Sequence, residues 1–192
     1  MNPVRKPLIA GNWKMFHGDR SGAALAADCV KVARTCLGVE FLIAPPYTAI
    51  ASCAAECLDS PMALAAQNLY VESDGACTGE ISAQTIKDIG CTWVLIGHSE
   101  RRRLFAESDE LVAAKVDAAL TVGLKPIVCV GDTLAQRDAG HTLRVVRRQV
   151  DAVSPLLVGA GLSVAIAYEP LWAIGTGKSD RVEIQPGRPS IV

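Results

Sequence analysis

Apolar residues in this 192-residue chain come in two rhythms. Six short runs, "PLIAGNW", "EFLIAPP", "MALAAQN", "WVLIGH", "KPIVCVG" and "SVAIAYEP", lack the in-and-out alternation of a half-solvated sheet and predict buried strands of parallel type. Between them lie longer amphipathic stretches, among them Ser21 to Cys36, "SDELVAAKVDAALTVG" and "TLRVVRRQVDAVSPLL", which predict helices. Ser108 is placed to cap the second of these ahead of Leu111, and Gly123 to end it.

Six strand–helix units are visible in this way, the sixth strand at Ser163 to Pro170 having no helical pattern after it. Repeated units of this kind fit an open doubly wound sheet or a closed eight-stranded barrel. The first strand–helix turn, "GNWKMFHG", lacks the GxGxxG of a dinucleotide-binding sheet. Chemistry-bearing residues fall instead at the C-terminal ends of several strands: Asn12 and Lys14 after the first, His98 after the fourth, Glu169 after the sixth. That distribution favours an α/β barrel with its site on the C-terminal face.

Composition narrows the function classes. Half the residues are hydrophobic, enough to bury a substantial core in one domain. Nineteen basic against twenty acidic residues leave a net charge of -1, with no broad field for nucleic acid or an anionic membrane. Arg101 to Arg103 form a local run, and Arg144, Arg147 and Arg148 recur at helical spacing, the pattern of a solvated helix face. The longest uncharged stretch, Ala152 to Tyr168, is broken by Ser154, Pro155, Gly159, Gly161 and Ser163, so it predicts helix end, turn and strand in place of a membrane span. No charged segment followed by an apolar one opens the chain, so a cytoplasmic protein is expected. Seven cysteines without a CxxC pair argue against a disulfide framework or zinc site; Cys29, Cys36, Cys53 and Cys57, at helical spacing, are expected to be small buried hydrophobes, and Cys129 a packing residue.

"AYEPLWAIGTGKSD" places Glu169 before a proline and a glycine-rich loop. Its "GTGKS" imitates the end of a P-loop, but that motif needs a glycine where Trp172 stands, and no helical pattern follows Ser179. Singly, a lysine is ordinarily a surface charge, a glutamate beside proline a loop residue, and a histidine a satisfied structural group. Together Glu169, His98 and Lys14 supply a general base, a hydrogen-bond donor and a cation for an anionic substrate, a workable set for moving a proton beside a carbonyl.

"GNWKM", "APPY", "AAQNLY" with "GACTGEIS", "LIGHSERR", "VCVGDTL" and "AYEPLWAIGTGK" resemble the triosephosphate isomerase family in motif order, from about residue 6 to Lys178. The resemblance implies a TIM (β/α)8 barrel and interconversion of dihydroxyacetone phosphate and glyceraldehyde 3-phosphate, with no metal or organic cofactor. It implies that Glu169 carries the proton and that Pro170 fixes the backbone where a closing loop begins. It gives His98 a neutral imidazole that polarises the carbonyl; the start of a short helix at "SERR" disfavours the charged ring. Lys14 and Asn12 are expected to hold substrate oxygens and phosphate charge, and the Gly175 N–H to grip the phosphate, closure excluding water from the enediolate. Glu100, with Ser99 beside it, is a supporting candidate that positions Lys14 or shuttles a proton; a salt bridge to Arg101 or Arg102 is the structural alternative. The loop from Tyr70 to Ile81 is long for its place, and in the family it reaches a neighbouring subunit, which makes a homodimer the expected assembly and Thr78 its contact.

Residues 1–178 form the expected partial barrel, and 179–192, "SDRVEIQPGRPSIV", a divergent, irregular tail. A complete barrel takes two further strand–helix units and about 250 residues. Six strands leave open edges and exposed apolar side chains, and the last two loops would furnish half of the phosphate site, so low stability and reduced activity are expected. The alternative reading is a weakly active or inactive fragment of the enzyme.

Overall fold

In a computed structural model the chain is described at residues 6–158 and 160–170. Six parallel strands, β1 (Leu8–Asn12), β2 (Glu40–Ala44), β3 (Met62–Ala66), β4 (Trp93–Ile96), β5 (Lys125–Val130) and β6 (Ala165–Tyr168), lie side by side in chain order. The intervening helices are α1 (Asp19–Thr35), α2 (Tyr47–Cys57), α3 (Ala83–Asp88), α4 (Ser99–Phe105), α5 (Asp109–Thr121), α6 (Leu134–Asp138) and α7 (Thr142–Leu157). A doubly wound sheet reverses its strand order partway across; this one does not, which decides between the two architectures in favour of the barrel type.

The two faces of the sheet confirm it. Ile43, Leu64, Val94, Ile96, Val128 and Val130 pack into one core with helical residues including Val30, Ile50, Val116 and Val153. The residues that alternate with them, Leu42, Ala44, Ala65, Trp93, Leu95 and Ile127, form a second cluster joined by Leu8, Ala63, Ala165 and Ala167, all from strands. Helices therefore cover one face, and the other is the inner wall of a partial barrel. Both faces being covered along β2 to β5, those strands read as continuous apolar runs.

Along β1 the covering is incomplete. Leu8 faces the inner cluster, whereas Ile9, on the opposite side, is 55% exposed.

The expected N-cap is present: the Ser108 hydroxyl accepts from the Leu111 N–H at 3.2 Å, and Gly123, φ 79°, follows the end of α5. Of the cysteines, Cys53, Cys57 and Cys129 are buried as expected and Cys29 is half-buried. Cys36 is exposed, contrary to expectation, because α1 ends at Thr35 and Cys36 lies past the last turn that packs inward. The 101–103 run is likewise only partly a solvated face: Arg101 reaches Glu107 at 2.5 Å and Arg102 reaches Asp109 at 2.6 Å.

Candidate active site

The site forms where β1, β4 and β6 end, because the C-terminal ends of parallel strands all open on one side. Asn12 ends β1, and two residues on Lys14 takes a left-handed backbone conformation, φ 52°. For a residue with a Cβ this costs on the order of 1 kcal/mol, and the surroundings must hold it. They do so from both sides: the Lys14 N–H donates to Asn12 Oδ1 at 2.9 Å, and Gln67 Nε2 donates to the Lys14 carbonyl at 2.7 Å and to the Ala44 carbonyl at 2.8 Å. The Lys14 ammonium then meets Glu100 Oε1 at 2.8 Å. Arg101 and Arg102 are engaged elsewhere, so of the two contacts open to Glu100 the structure selects Lys14.

β4 ends at Ile96, and Gly97, φ 71°, turns the chain into α4. A Cβ at Gly97 would stand 2.9 Å from Val112 Cγ2, so the position tolerates only glycine. The Gly97 carbonyl accepts from Arg102 Nε at 2.9 Å. His98 occupies the N-cap of α4 and is nearly buried. Its Nδ1 accepts from the Glu100 N–H at 3.2 Å, which leaves the ring hydrogen on Nε2. Nε2 lies 2.9 Å from Glu169 Oε1.

Glu169 follows β6, and its second oxygen accepts from the Ser99 N–H at 3.0 Å. Burial works against its ionisation, but the hydrogen bonds from His98 Nε2 and the Ser99 N–H outweigh it and hold the carboxyl below its ordinary value. At neutral pH it is a carboxylate facing an N–H donor, with an ammonium across the mouth: a base, a hydrogen-bond donor and a cation.

Asn12, Lys14, His98, Ser99, Glu100 and Glu169 are thus brought together from three separate parts of the chain. Thr78 is not among them; it is exposed, in a loop whose ends close where Tyr70 bridges Ser82. Gly175 and the expected tail 179–192 lie outside the described residues. Gln67 was missed, although an amide at the polar end of the "MALAAQN" run was the available signal. So was the next residue: Lys115 Nζ donates to Asn68 Oδ1 at 2.7 Å and to Glu107 at 2.5 Å, fixing the base of the Thr78 loop to α5. Among the described residues no group of three or more His, Cys, Asp and Glu could hold a metal ion.

Comparison with known proteins points to one family. The family model described as triosephosphate isomerase matches residues 7–185. The chain is 49% identical to the triosephosphate isomerase of Chloroflexus aurantiacus over 178 residues, 91% of this chain and 70% of that protein. It is 47% identical to that of Moorella thermoacetica, covering 92% and 71%, and 46% identical to that of Rhodopirellula baltica, covering 91% and 69%. It spans about 70% of the length of these relatives. With strands in barrel order and a carboxylate, an imidazole and a lysine meeting at their C-terminal ends, this chain belongs to the triosephosphate isomerase family.

Proposed function

We propose that the chain interconverts dihydroxyacetone phosphate and D-glyceraldehyde 3-phosphate, with Glu169, His98 and Lys14 as its catalytic residues. The observation that carries this reading is the 2.9 Å approach of His98 Nε2 to Glu169 Oε1, a hydrogen-bond donor and a carboxylate at one point. Substrate replaces Glu169 as the partner of the Nε2–H, which then donates to the carbonyl oxygen. The carboxylate removes a proton from the hydroxyl-bearing carbon, the electron pair moves through the new carbon–carbon double bond onto the carbonyl oxygen, and an enediolate forms. The hydroxyl proton passes to the former carbonyl oxygen and the carbon-bound proton returns to the neighbouring carbon, so the isomerisation is complete with no atom gained or lost. The imidazole donor and the Lys14 ammonium stabilise the charge that develops on oxygen. Asn12 fixes the Lys14 backbone, Glu100 fixes its ammonium, and the Ser99 N–H holds the carboxylate between turnovers; Gly175 is assigned to the phosphate.

The proposed assembly is a homodimer with Thr78 at the contact. The exposure of that loop supports it, as do Met15 and Phe16, 95% and 69% exposed on the loop after β1. The proposed location is the cytoplasm, supported by seven free cysteines. Among the described residues no helix is long and apolar enough to cross a membrane.

The test is conversion of glyceraldehyde 3-phosphate by the purified chain beside its Glu169→Gln variant. Conversion that disappears in the variant is the expected result. Equal conversion by both rejects Glu169 as the base, and none by a folded chain favours an inactive fragment.

A further inference from the structure

Glu169 is held by the turn that follows β5. Its N–H donates to the Val130 carbonyl at 2.7 Å. Its own carbonyl oxygen passes so close to Gly131 that a Cβ there would meet it at 2.1 Å. Gly131 is clamped by Gln149 of α7, whose Oε1 accepts from the Gly131 N–H at 2.8 Å while its Nε2 donates to the Gly131 carbonyl at 3.0 Å. The next residue, Asp132, is fully buried. One of its oxygens accepts from the Tyr168 hydroxyl at 2.8 Å, the other from the Thr142 hydroxyl at 2.6 Å.

Tyr168 immediately precedes Glu169. Ala165 and Ala167 join the inner cluster, whereas Ile166 and Tyr168 pack against the helix layer. Strand alternation therefore sends the phenol outward, to Asp132, and the Glu169 carboxylate inward, to His98 and the Ser99 N–H. A buried carboxylate is costly unless its oxygens find donors, and here one of the donors is the residue whose placement aims Glu169.

We propose that Asp132 is a positioning residue for Glu169: by holding the Tyr168 hydroxyl it fixes the end of β6, so that the Glu169 carboxylate rests on His98 Nε2 and the Ser99 N–H. The functional consequence rests on the reading of Glu169 as the proton carrier; the geometric consequence does not.

Tyr168→Phe removes one oxygen atom, and Asp132→Ala removes the acceptor. The full chain, labelled with 13C at glutamate carboxyls, is titrated by NMR, the Glu169 resonance being assigned by its loss in Glu169→Gln. The groups that face this carboxyl are His98 and the Ser99 N–H of α4, with Glu100 beyond His98 and the Cys129 thiol on β5. In the parent the carboxyl titrates below the ordinary glutamate range. In both variants it should move upward, as its bonds to His98 and Ser99 loosen, and kcat should fall roughly tenfold to a hundredfold with KM little changed. Thr142→Val removes a second donor to Asp132 and leaves the Tyr168 bond in place; its Glu169 titration should match the parent. Tyr168→Phe that folds and titrates as the parent overturns the proposal, and so does Thr142→Val shifting Glu169 equally. If Glu169→Gln keeps full isomerase activity, the proton-carrier reading falls, while the titration still decides the positioning role.

Discussion

Glu100 Oε1 lies 2.8 Å from Lys14 Nζ, joining the loop after β1 to the first turn of α4 across 86 residues of sequence. Both side chains are more than a third exposed, so the pair contributes at most about 1 kcal/mol to stability. Its consequence is positional. Glu100→Gln should leave the unfolding midpoint in urea nearly unchanged, whereas KM for glyceraldehyde 3-phosphate should rise severalfold because the ammonium is less constrained. A large loss of stability with unchanged kinetics would reverse the assignment.

The Glu107 cluster behaves differently because it is buried. Glu107 meets Arg101 and Lys115 at 2.5 Å, with its own side chain 2% exposed. Burial opposes ionisation of the Glu107 carboxyl, but the hydrogen bonds and charges of Lys115 and Arg101 hold it below the ordinary value. Glu107→Gln keeps an acceptor oxygen but removes the negative charge that offsets the buried Lys115 ammonium, so it should cost about 3–5 kcal/mol in urea unfolding at pH 7.

Glu107 and Glu169 together set an acid dependence. Glu107 and Glu169 both have folded values below the unfolded one, so the unfolded chain binds more protons and stability rises with pH through this range. Their contribution is complete above the ordinary glutamate value of about 4.3 and is lost as pH falls through the lowered folded values. Urea midpoints measured from pH 7 down to pH 3 should fall along the acid limb, and the double variant Glu107→Gln, Glu169→Gln should flatten it.

Gly97 offers a backbone test. Alanine there must adopt φ near 71° with its Cβ 2.9 Å from Val112 Cγ2, so Gly97→Ala should destabilise by more than about 1 kcal/mol and displace His98. The His98 ring nitrogen shifts, read by 15N NMR, should depart from the Nε2–H tautomer. Gly97→Ala with Val112→Ala should recover part of the stability, because the second change removes the methyl that the new Cβ strikes.

Ile9 marks the uncovered side of β1. An apolar side chain on an edge strand invites pairing with another chain, and a charge there suppresses it. Light scattering of Ile9→Lys should show less self-association than the parent at equal concentration, with the circular dichroism spectrum preserved.

The sequence by itself determined the units. Apolar runs without alternation marked the buried parallel strands, Ser108 and Gly123 bounded α5, and the strand ends named Asn12, Lys14, His98 and Glu169; each of these signals is local, carried within a few residues. The tertiary structure decided the partners. Whether Glu100 serves Lys14 or an arginine, whether Gln67 holds a strained carbonyl, and that Asp132 carries Tyr168 are pairings across 36 to 86 residues. The same pattern of strands and helices fits an open or a curled sheet, and only the curl, with helices on one face and side chains of the strands alone on the other, brings β1, β4 and β6 to one mouth. Local chemistry selects the residues; the distance between two charged groups far apart in sequence is fixed only when the sheet between them bends.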